Sequence, residues 1–426
     1  MARVTPTERG GRPAALGAPR RSWRVDPLIL GLWTVTRLAL LVVSLNPRLY
    51  SAALWGDVRL YAAKVDRMFQ GELPYRDVAI EYPPGSLPFT LLPGLLVGTG
   101  AGYRLAFAAE MTLVDLVGLL AASRLAAAAD AARRRIPLAY VLAMVAIGPL
   151  LLLRFDLVPA VCVLLAAALA AGGRPGWAAA ALGYGTAAKI FPGVIAPLLV
   201  LGLVPALGWW PALRRTVPPF LLGLALPVVP ALLISPRGTA ASVLYHVRRG
   251  VQIESLWANG IDLLHLLTGL PAVTVYGFGA YDLDSSVSGT AKLLSGVATV
   301  ATLAGAMLLV WRRARRAGGL RPADWAGAAA VGVFAFVLPT RVLSPQYLVW
   351  LAAPMTGLVD RRDGRRGLLV LVAAAVVSQV VFPFRYSQLR HLAPFDIGLL
   401  TFRNLLLLLA CALVVRAFLC GADEPG

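Results

Sequence analysis

The chain has 426 residues, of which 58% are hydrophobic and 14% are charged, and its formal net charge is +19 at pH 7. A soluble domain of this size does not carry so much apolar surface, so the composition predicts a polytopic membrane protein and excludes an ordinary soluble enzyme. The arginines occur in short clusters between apolar runs and do not line one face, which argues against a nucleic acid partner.

The composition also disfavours metal and disulfide chemistry. The chain has three cysteines and three histidines. Cys162 and Cys411 fall within apolar runs and Cys420 lies at the end of the last one, so neither a disulfide framework nor a metal site is predicted. The sequence contains no glycine-rich phosphate loop, and no cofactor is expected.

The apolar runs predict an all-α polytopic membrane protein with about twelve transmembrane helices, because each run is near the length that crosses a bilayer. Residues 1–426 are predicted to form a single transmembrane domain. The run 86–98 is too short and too interrupted by prolines for another crossing, so an interfacial or re-entrant helix is predicted there. The predicted spans are 27–46, 103–128, 137–153, 157–172, 176–189, 190–206, 217–234, 288–311, 325–340, 345–359, 367–383 and 397–418.

The distribution of basic residues predicts how the chain is oriented. Because cytoplasmic loops are enriched in lysine and arginine, the basic tail 1–26 and the arginine clusters are assigned to the cytoplasm, together with both termini. The first large loop, 47–102, and the second, 235–287, are then extracytoplasmic. These outward loops hold the acids, histidines and amides, so an extracytoplasmic active site in the cell membrane is expected. The arginine clusters are 133–135, 214–215, 312–316 and 361–366.

The stretch 55–85 is the longest polar segment in the first hundred residues. Its apolar residues recur at helical spacing between charged ones, which predicts a helix lying on the membrane surface with Asp57 at its head. Two interpretations of Asp57 stay open, a general base and an N-cap of that helix. The stretch closes with two prolines after Tyr82, which favour a rigid turn. Glu81 either binds a sugar hydroxyl or pairs with a loop arginine such as Arg76.

Further candidates lie at the predicted outer ends of spans. Lys189 is expected either to hold a lipid phosphate at headgroup depth or to extend to the interface as an ordinary terminal lysine. Arg154 and Asp156 form either a structural ion pair or a phosphate- and sugar-binding pair. Arg341 suits a phosphate because its guanidinium offers bidentate hydrogen bonds, and its alternative role is an interface anchor.

Two polar loop segments add to these candidates. Gln346 and Tyr347 suit sugar hydroxyls, although Tyr347 fits an aromatic belt equally well. In the second large outer loop, His246, Arg249 and Glu254 either bind an anionic headgroup or belong to a solvated loop attracted to anionic lipid.

Arg37 and Asp115 lie inside the first two predicted spans. Charges at such depth are costly and usually pair, so an ion pair between these residues is predicted. A transporter would use such a pair near the midplane, so a secondary transporter or flippase for a lipid-linked or amphiphilic anionic substrate is kept as an alternative function. A wall-polymer ligase with a pyrophosphate donor is a third possibility.

Five short motifs carry a resemblance to a known family. They are Asp57-x-x-x-Tyr61, Gly71-x-x-Pro74-Tyr75, Tyr82-Pro83-Pro84, Lys189-x-x-Pro192 and Ser344 to Trp350. In this order, and on one predicted membrane face, they resemble the polyprenol-phosphate-sugar-dependent membrane glycosyltransferases of the C-type fold, and within them glycosyltransferase family 87. The resemblance covers most of the chain.

The resemblance implies a C-type glycosyltransferase fold whose first outer loop carries interfacial helices and the catalytic aspartate, which is Asp57 here. It implies a polyprenyl-phosphate sugar donor, commonly mannose, and a lipid-linked or cell-wall glycan acceptor. Asp57 would deprotonate the acceptor hydroxyl and the anomeric configuration would invert. Phosphate is a good leaving group, so no second carboxylate acting as a general acid is needed. The expected donor-phosphate ligands are Lys189, Arg341 and Arg154, and the expected substrate contacts are Tyr61, Glu81, Tyr82, Asp156, His246, Arg249, Glu254, Gln346 and Tyr347.

Overall fold

The computed structural model describes residues 24–131 and 133–420. The basic tail predicted for 1–26 therefore lies outside the described residues, apart from its last three positions. Helices form most of the described chain, as the apolar runs predict. The α-helices are α1 Pro27–Leu45, α2 Gly56–Phe69, α3 Leu87–Val97, α4 Tyr103–Ala128, α5 Arg135–Ile147, α6 Leu150–Leu153, α7 Leu157–Ala171, α8 Pro175–Ala188, α9 Ala196–Leu207, α10 Trp209–Ile234, α11 Pro236–Arg248, α12 Leu256–Thr268, α13 Ser288–Ala317, α14 Trp325–Val337, α15 Leu348–Met355, α16 Arg362–Gln379, α17 Tyr386–Arg390 and α18 Pro394–Cys420.

One β-hairpin departs from the all-α prediction. Strands β1 Ala272–Gly277 and β2 Ala280–Ser285 pair antiparallel. The two residues between them, Phe278 and Gly279, both have positive φ angles, which is the backbone geometry of a tight hairpin turn. The β-branched residues Val273, Thr274 and Val275 and the aromatic Tyr276 of β1 favour a strand over a helix. The hairpin belongs to the second large loop, 235–287, for which the apolar runs make no prediction of secondary structure.

Six of the described helices are long and apolar enough to cross a membrane: α1, α4, α10, α13, α16 with its extension to Phe384, and α18. The chain is a largely helical membrane protein. The predicted count of about twelve spans is not confirmed, because five further apolar segments form helices of only 10–17 residues. Predicted span 137–153 breaks at Gly148, whose φ of +67° ends α5. Predicted span 345–359 contains the eight-residue α15, which is flanked by the 3₁₀ turns Pro345–Tyr347 and Thr356–Leu358.

Three of the four predicted arginine clusters gather at one end of the helix bundle. Arg135 pairs with Asp360 at 3.2 Å. Asp324 pairs with both Arg313, at 3.3 Å, and Arg361, at 2.5 Å. These contacts bring three of the four predicted clusters together, as a shared orientation requires. The side of the membrane on which this end lies stays a prediction.

Close packing between α8 and α10 fixes the position of α8. A Cβ on Gly183 would lie 2.0 Å from the carbonyl oxygen of Phe220, and a Cβ on Gly223 would lie 2.2 Å from that of Ala180. Glycine at both positions lets the two backbones approach as closely as membrane helices do. The C-terminal end of α8, which carries Lys189, is thereby held rigidly in the bundle.

The ion pair predicted between Arg37 and Asp115 is confirmed. Arg37 Nε lies 2.7 Å from Asp115 Oδ2, and the two side chains are 1% and 0% exposed. The Trp33 indole N–H donates to the same carboxylate at 2.5 Å, and the Tyr140 hydroxyl donates to it at 2.8 Å. This network ties α1, α4 and α5 together. A carboxylate so fully engaged favours a structural role over substrate binding.

Arg37→Ala is expected to lower the free energy of unfolding by about 3–5 kcal/mol, because it leaves Asp115 buried without a counter-ion. The double variant Arg37→Met with Asp115→Leu removes both charges and should be destabilised less than the single variant. Thermal unfolding of the detergent-purified protein measures both changes. The exposed Arg48→Ala serves as the matched control, with a change within about 0.5 kcal/mol. Equal losses in the single and double variants would show that the ion pair contributes little.

Candidate active site

Asp57 lies in the first turn of α2 and does not cap it. The N-cap position is occupied by Trp55, which makes no side-chain capping bond, so the N-cap interpretation of Asp57 is wrong. The reason is that a short 3₁₀ turn, Ala52–Trp55, runs directly into α2 and moves the helix start upstream. The carboxylate instead forms an ion pair with Arg154, with 2.9 Å between Asp57 Oδ2 and Arg154 Nε.

Arg154 is buried and immobilised beneath Asp57. Its Nη1 donates to the carbonyl oxygens of Leu54, at 2.7 Å, and Leu153, at 2.9 Å. The Asp57 side chain is 31% exposed whereas that of Arg154 is 6% exposed, so the carboxylate is the accessible member of the pair. The arrangement holds a partly exposed carboxylate in one orientation beside a buried guanidinium group.

Lys189 and Asp156 form the second ion pair of the site. The distance from Lys189 Nζ to Asp156 Oδ1 is 2.7 Å, and both side chains are buried. The ion pair considered from the sequence between Arg154 and Asp156 is not formed. Arg154 pairs with Asp57, and Asp156 pairs with Lys189. The Lys189 ammonium also lies among four aromatic rings. The distances from Nζ to the ring centres are 5.7 Å for Tyr82, 5.2 Å for Phe155, and 5.0 Å for both Tyr347 and Trp350.

The turn after Tyr82 packs on the end of α8. The Tyr184 hydroxyl donates to the carbonyl oxygen of Gly85 at 3.2 Å. A Cβ on Gly85 would lie 2.6 Å from the backbone of Ala187, so only glycine permits this approach. The two prolines between Tyr82 and Gly85 stiffen the turn. The Tyr-Pro-Pro-Gly sequence thus places the Tyr82 ring beside Lys189.

Tyr82 also connects the two ion pairs. Burial, followed by the charges of Asp57 and Asp156, raises the pKa of Tyr82 well above its usual value. The ring of Tyr61, one turn after Asp57 on α2, lies 6.0 Å from the ring of Tyr82. Burial likewise raises the pKa of Tyr61 well above its usual value. Both tyrosines therefore stay neutral and are suited to bind hydroxyl groups rather than to transfer protons.

A cavity of about 360 Å³ adjoins Lys189. Its polar residues include Lys189, His246, Arg249, Thr340, Arg341 and Tyr347. Its apolar wall lies between α13 and α14 and includes Gly296, Val300 and Phe336. One part of the cavity is thus cationic and the other is apolar. Four of the predicted ligands, Lys189, His246, Arg249 and Arg341, are brought together here with Tyr347.

The cavity has a surplus of positive charge. Arg341 Nη2 donates to the carbonyl oxygen of Val247 at 2.6 Å. Within residues 24–131 and 133–420, neither Arg249 nor Arg341 forms an ion pair with a carboxylate. Arg249 Nε is buried without a hydrogen-bond partner. The Asp282 carboxylate interacts electrostatically with both arginines, but it accepts a hydrogen bond from the Gly250 N–H and forms no ion pair with either of them in the described residues. Two guanidinium groups without a direct carboxylate partner favour an anionic ligand, and they match phosphate geometry.

His246 is a neutral member of the cavity lining. Burial, with the neighbouring cations Lys189 and Arg249, lowers the pKa of its imidazole from 6.5 to about 4. Its Nε2 is buried and makes no hydrogen bond to the described part of the chain. At pH 7 the ring adds no charge and can hydrogen-bond an oxygen of a ligand.

The contribution of His246 to the stability of the protein is expected to fall as the pH is lowered from about 6.5 to about 4, because His246 is then protonated in the unfolded state only. His246→Gln should remove about 1–2 kcal/mol of this loss. Thermal unfolding across this pH range measures the effect. Burial raises the pKa of Glu254 to about 7, so this group stabilises the folded state as the pH is lowered. Its effect is the same in the wild type and in His246→Gln. The difference between the two profiles of stability against pH therefore reports His246. The exposed His391→Gln should leave the profile unchanged, and a His246→Gln profile parallel to the wild type would contradict this assignment.

The predicted phosphate ligand Arg154 pairs with Asp57 and is not part of the cavity lining. The lining also lacks the predicted substrate contacts Glu81, Glu254 and Gln346. Glu81 pairs with Lys64 of α2 and not with Arg76. Glu254 is buried next to Arg403, with its Oε1 3.9 Å from Arg403 Nη2, and is outside the cavity lining. Gln346 Oε1 accepts a hydrogen bond from the Ser344 hydroxyl at 2.6 Å.

Several residues of the candidate active site were not predicted from the sequence. Phe155 and Trp350 complete the aromatic surroundings of Lys189, and Trp350 stacks on Phe191 with ring centres 4.1 Å apart. Trp350 ends the last of the five motifs, so a signal was present for it. Lys64 lies seven residues after Asp57 and hence on the same face of α2, a spacing that could have suggested its role beside Glu81.

The fold and the site define a helical membrane protein with a cationic cavity next to a fixed carboxylate. Comparison of the sequence with protein-family models and with curated proteins finds no match. Among solved structures, the chain is similar to ArnT from Cupriavidus metallidurans bound to undecaprenyl phosphate, with 17% identity, a TM-score of 0.48, and coverage of 92% of this chain and 78% of that one. It is also similar to the same protein in the apo state, with 18% identity, a TM-score of 0.46, and coverage of 92% and 77%. The narrower resemblance to glycosyltransferase family 87 stays a prediction.

Proposed function

We propose that this protein is a membrane glycosyltransferase of the C-type fold that transfers a sugar from a polyprenyl-phosphate donor to a hydroxyl group of an acceptor. The observation that carries the proposal is the cavity beside Lys189. Its cationic part suits a phosphate, and its apolar part, between α13 and α14, suits a lipid chain. A free sugar nucleotide would not need the second feature, whereas a lipid-linked donor needs both.

The donor phosphate would lie among Lys189, Arg249 and Arg341. When the bond between the anomeric carbon and the phosphate oxygen breaks, that oxygen takes the electron pair, and the three cations stabilise its charge. The Lys189 ammonium is fixed by Asp156, so it is already oriented before the donor binds. The polyprenyl chain would lie along the apolar wall formed by Val300 and Phe336.

Asp57 would act as the general base. Its carboxylate is partly exposed and is oriented by the buried Arg154. It would take the proton of the acceptor hydroxyl as that oxygen attacks the anomeric carbon from the face opposite the phosphate, which inverts the configuration. Tyr61 and Tyr82 lie between Asp57 and Lys189, where they would hydrogen-bond the hydroxyl groups of the sugar.

The finer parts of the proposal follow the family resemblance. The sugar would be a hexose, with mannose as the first candidate, and the acceptor a lipid-linked or cell-wall glycan. The end of the bundle that carries Asp57 and Lys189 is opposite the arginine clusters, so under the positive-inside rule the active site would be extracytoplasmic and both termini cytoplasmic.

Radiolabelled polyprenyl-phosphate-mannose, incubated with a cell lipid extract and membranes that contain the protein, tests this function. Labelled glycolipid should form only with the protein present. Polyprenyl-phosphate-glucose and polyprenyl-phosphate-galactose in parallel reactions identify the sugar. The transporter alternative would be established by two results together. No donor gives a product, and the protein flips lipid in proteoliposomes in a way that depends on Arg37 and Asp115 but not on Asp57.

A further inference from the structure

A second cationic cavity lies beside α2. Its volume is about 190 Å³, and its lining includes Trp55, Arg59, Ala62, Thr99, Ala101 and Arg104. Trp55, Arg59 and Ala62 are spaced by four and three residues and therefore share one helix face. Asp57 and Tyr61 lie on another face, toward the candidate active site. Helix α2 thus carries residues of the candidate active site on one face and residues of this second cavity on another.

An aromatic ring organises this second cavity. The Trp55 indole N–H donates to the carbonyl oxygen of Ser44 at 2.9 Å, which fixes the ring. The Arg104 guanidinium carbon lies 3.5 Å from the centre of the ring, and that of Arg59 lies 5.7 Å from it. Stacking on a fixed indole orients Arg104 without using its hydrogen-bond donors.

The two arginines have no counter-ion. Neither Arg59 nor Arg104 forms an ion pair or a hydrogen bond with any side chain in the described part of the sequence. Like charges that share one ring repel each other, so an anion bound between them would relieve an unfavourable interaction as well as gain two favourable ones. The cavity also includes Tyr103, the first residue of α4, where the helix dipole adds partial positive charge.

Apolar side chains surround the two arginines. Leu60 and Leu105, which directly follow Arg59 and Arg104 in sequence, are 40% and 55% exposed, and Val97 at the end of α3 is 51% exposed. We propose that this cavity binds the phosphate of an anionic membrane lipid, whose acyl chains cover these three side chains. The site is separate from the proposed donor site, so the proposal does not depend on the glycosyltransferase function.

Native mass spectrometry of the full-length protein in detergent, titrated with phosphatidylglycerol or phosphatidylcholine, tests this proposal. The wild type should bind phosphatidylglycerol in preference to phosphatidylcholine. The double variant Arg59→Gln with Arg104→Gln should weaken phosphatidylglycerol binding about tenfold or more. Arg48→Gln, which removes an exposed arginine from the same loop, is the matched control and should bind as the wild type does. Equal binding by the double variant, or equal loss in the control, would overturn the proposal.

A second variant tests the site without removing either arginine. Ala101→Glu places a carboxylate at an exposed position of the cavity lining, where it can pair with Arg59 or Arg104. It should weaken phosphatidylglycerol binding while the melting temperature is kept or raised. Inorganic phosphate at millimolar concentration distinguishes a lipid from free phosphate as the ligand. It should not displace phosphatidylglycerol from a lipid site. Complete displacement would show a site for free phosphate and overturn the lipid assignment. Unchanged lipid binding by Ala101→Glu would also overturn it.

Discussion

Asp57→Asn is expected to lower the turnover of sugar transfer by about a thousandfold, because the amide cannot accept the proton of the attacking hydroxyl. Asparagine has nearly the same shape, so the position of the side chain beside Arg154 should be kept. The measurement is product formed per folded protein, with saturating donor. The apparent affinity for the donor should change little, because Asp57 is not among the residues that line the donor cavity.

Stability must be measured alongside turnover, since the substitution leaves the buried Arg154 without its counter-ion. Asp66→Asn is the matched control, because Asp66 is an exposed aspartate on the same helix. It should retain near wild-type turnover. If Asp57→Asn folds and retains near-normal turnover per folded molecule, Asp57 is not the base.

Lys189→Met is expected to weaken donor binding about 10–100-fold, because a charge-assisted contact with the donor phosphate is lost. The same substitution should lower the free energy of unfolding by about 3–5 kcal/mol, since Asp156 is then buried with an unpaired charge. Donor titrations of the transfer rate measure the first effect, and thermal unfolding measures the second.

A double variant separates these two effects. Lys189→Met with Asp156→Asn removes both charges, so stability should largely recover while donor binding stays weak. Asp156→Asn alone keeps the ammonium among its four aromatic rings and should retain most of the donor affinity. Normal donor affinity in the double variant would assign Lys189 a purely structural role.

Local sequence patterns predicted the parts of the molecule that depend on neighbouring residues. The amphipathic spacing after Asp57 predicted α2, and the interrupted run 86–98 predicted the short α3. The cost of buried charge predicted the pair between Arg37 and Asp115, although 78 positions separate them, because few other partners are available at that depth.

Partner choice in the polar cluster could not be predicted in this way. Arg154 is two positions from Asp156 in the chain, yet it pairs with Asp57, and Asp156 pairs with Lys189. Which of several carboxylates an arginine meets depends on how α2, α7 and α8 pack. Hydropathy also did not predict where apolar runs break into shorter helices, as at Gly148, because it measures apolar content and not backbone conformation.

The sequence by itself determined that this is a helical membrane protein, that its charged residues divide between two ends, and which polar segments were worth considering. These properties follow from composition and short-range periodicity, which act residue by residue. Only the tertiary structure decided that Lys189, Arg249 and Arg341 share one cavity, that Tyr82 connects Asp57 to Lys189, and that Glu254 is outside the site. Those relations join residues from helices and loops far apart in the chain, and the packing of the whole bundle sets them.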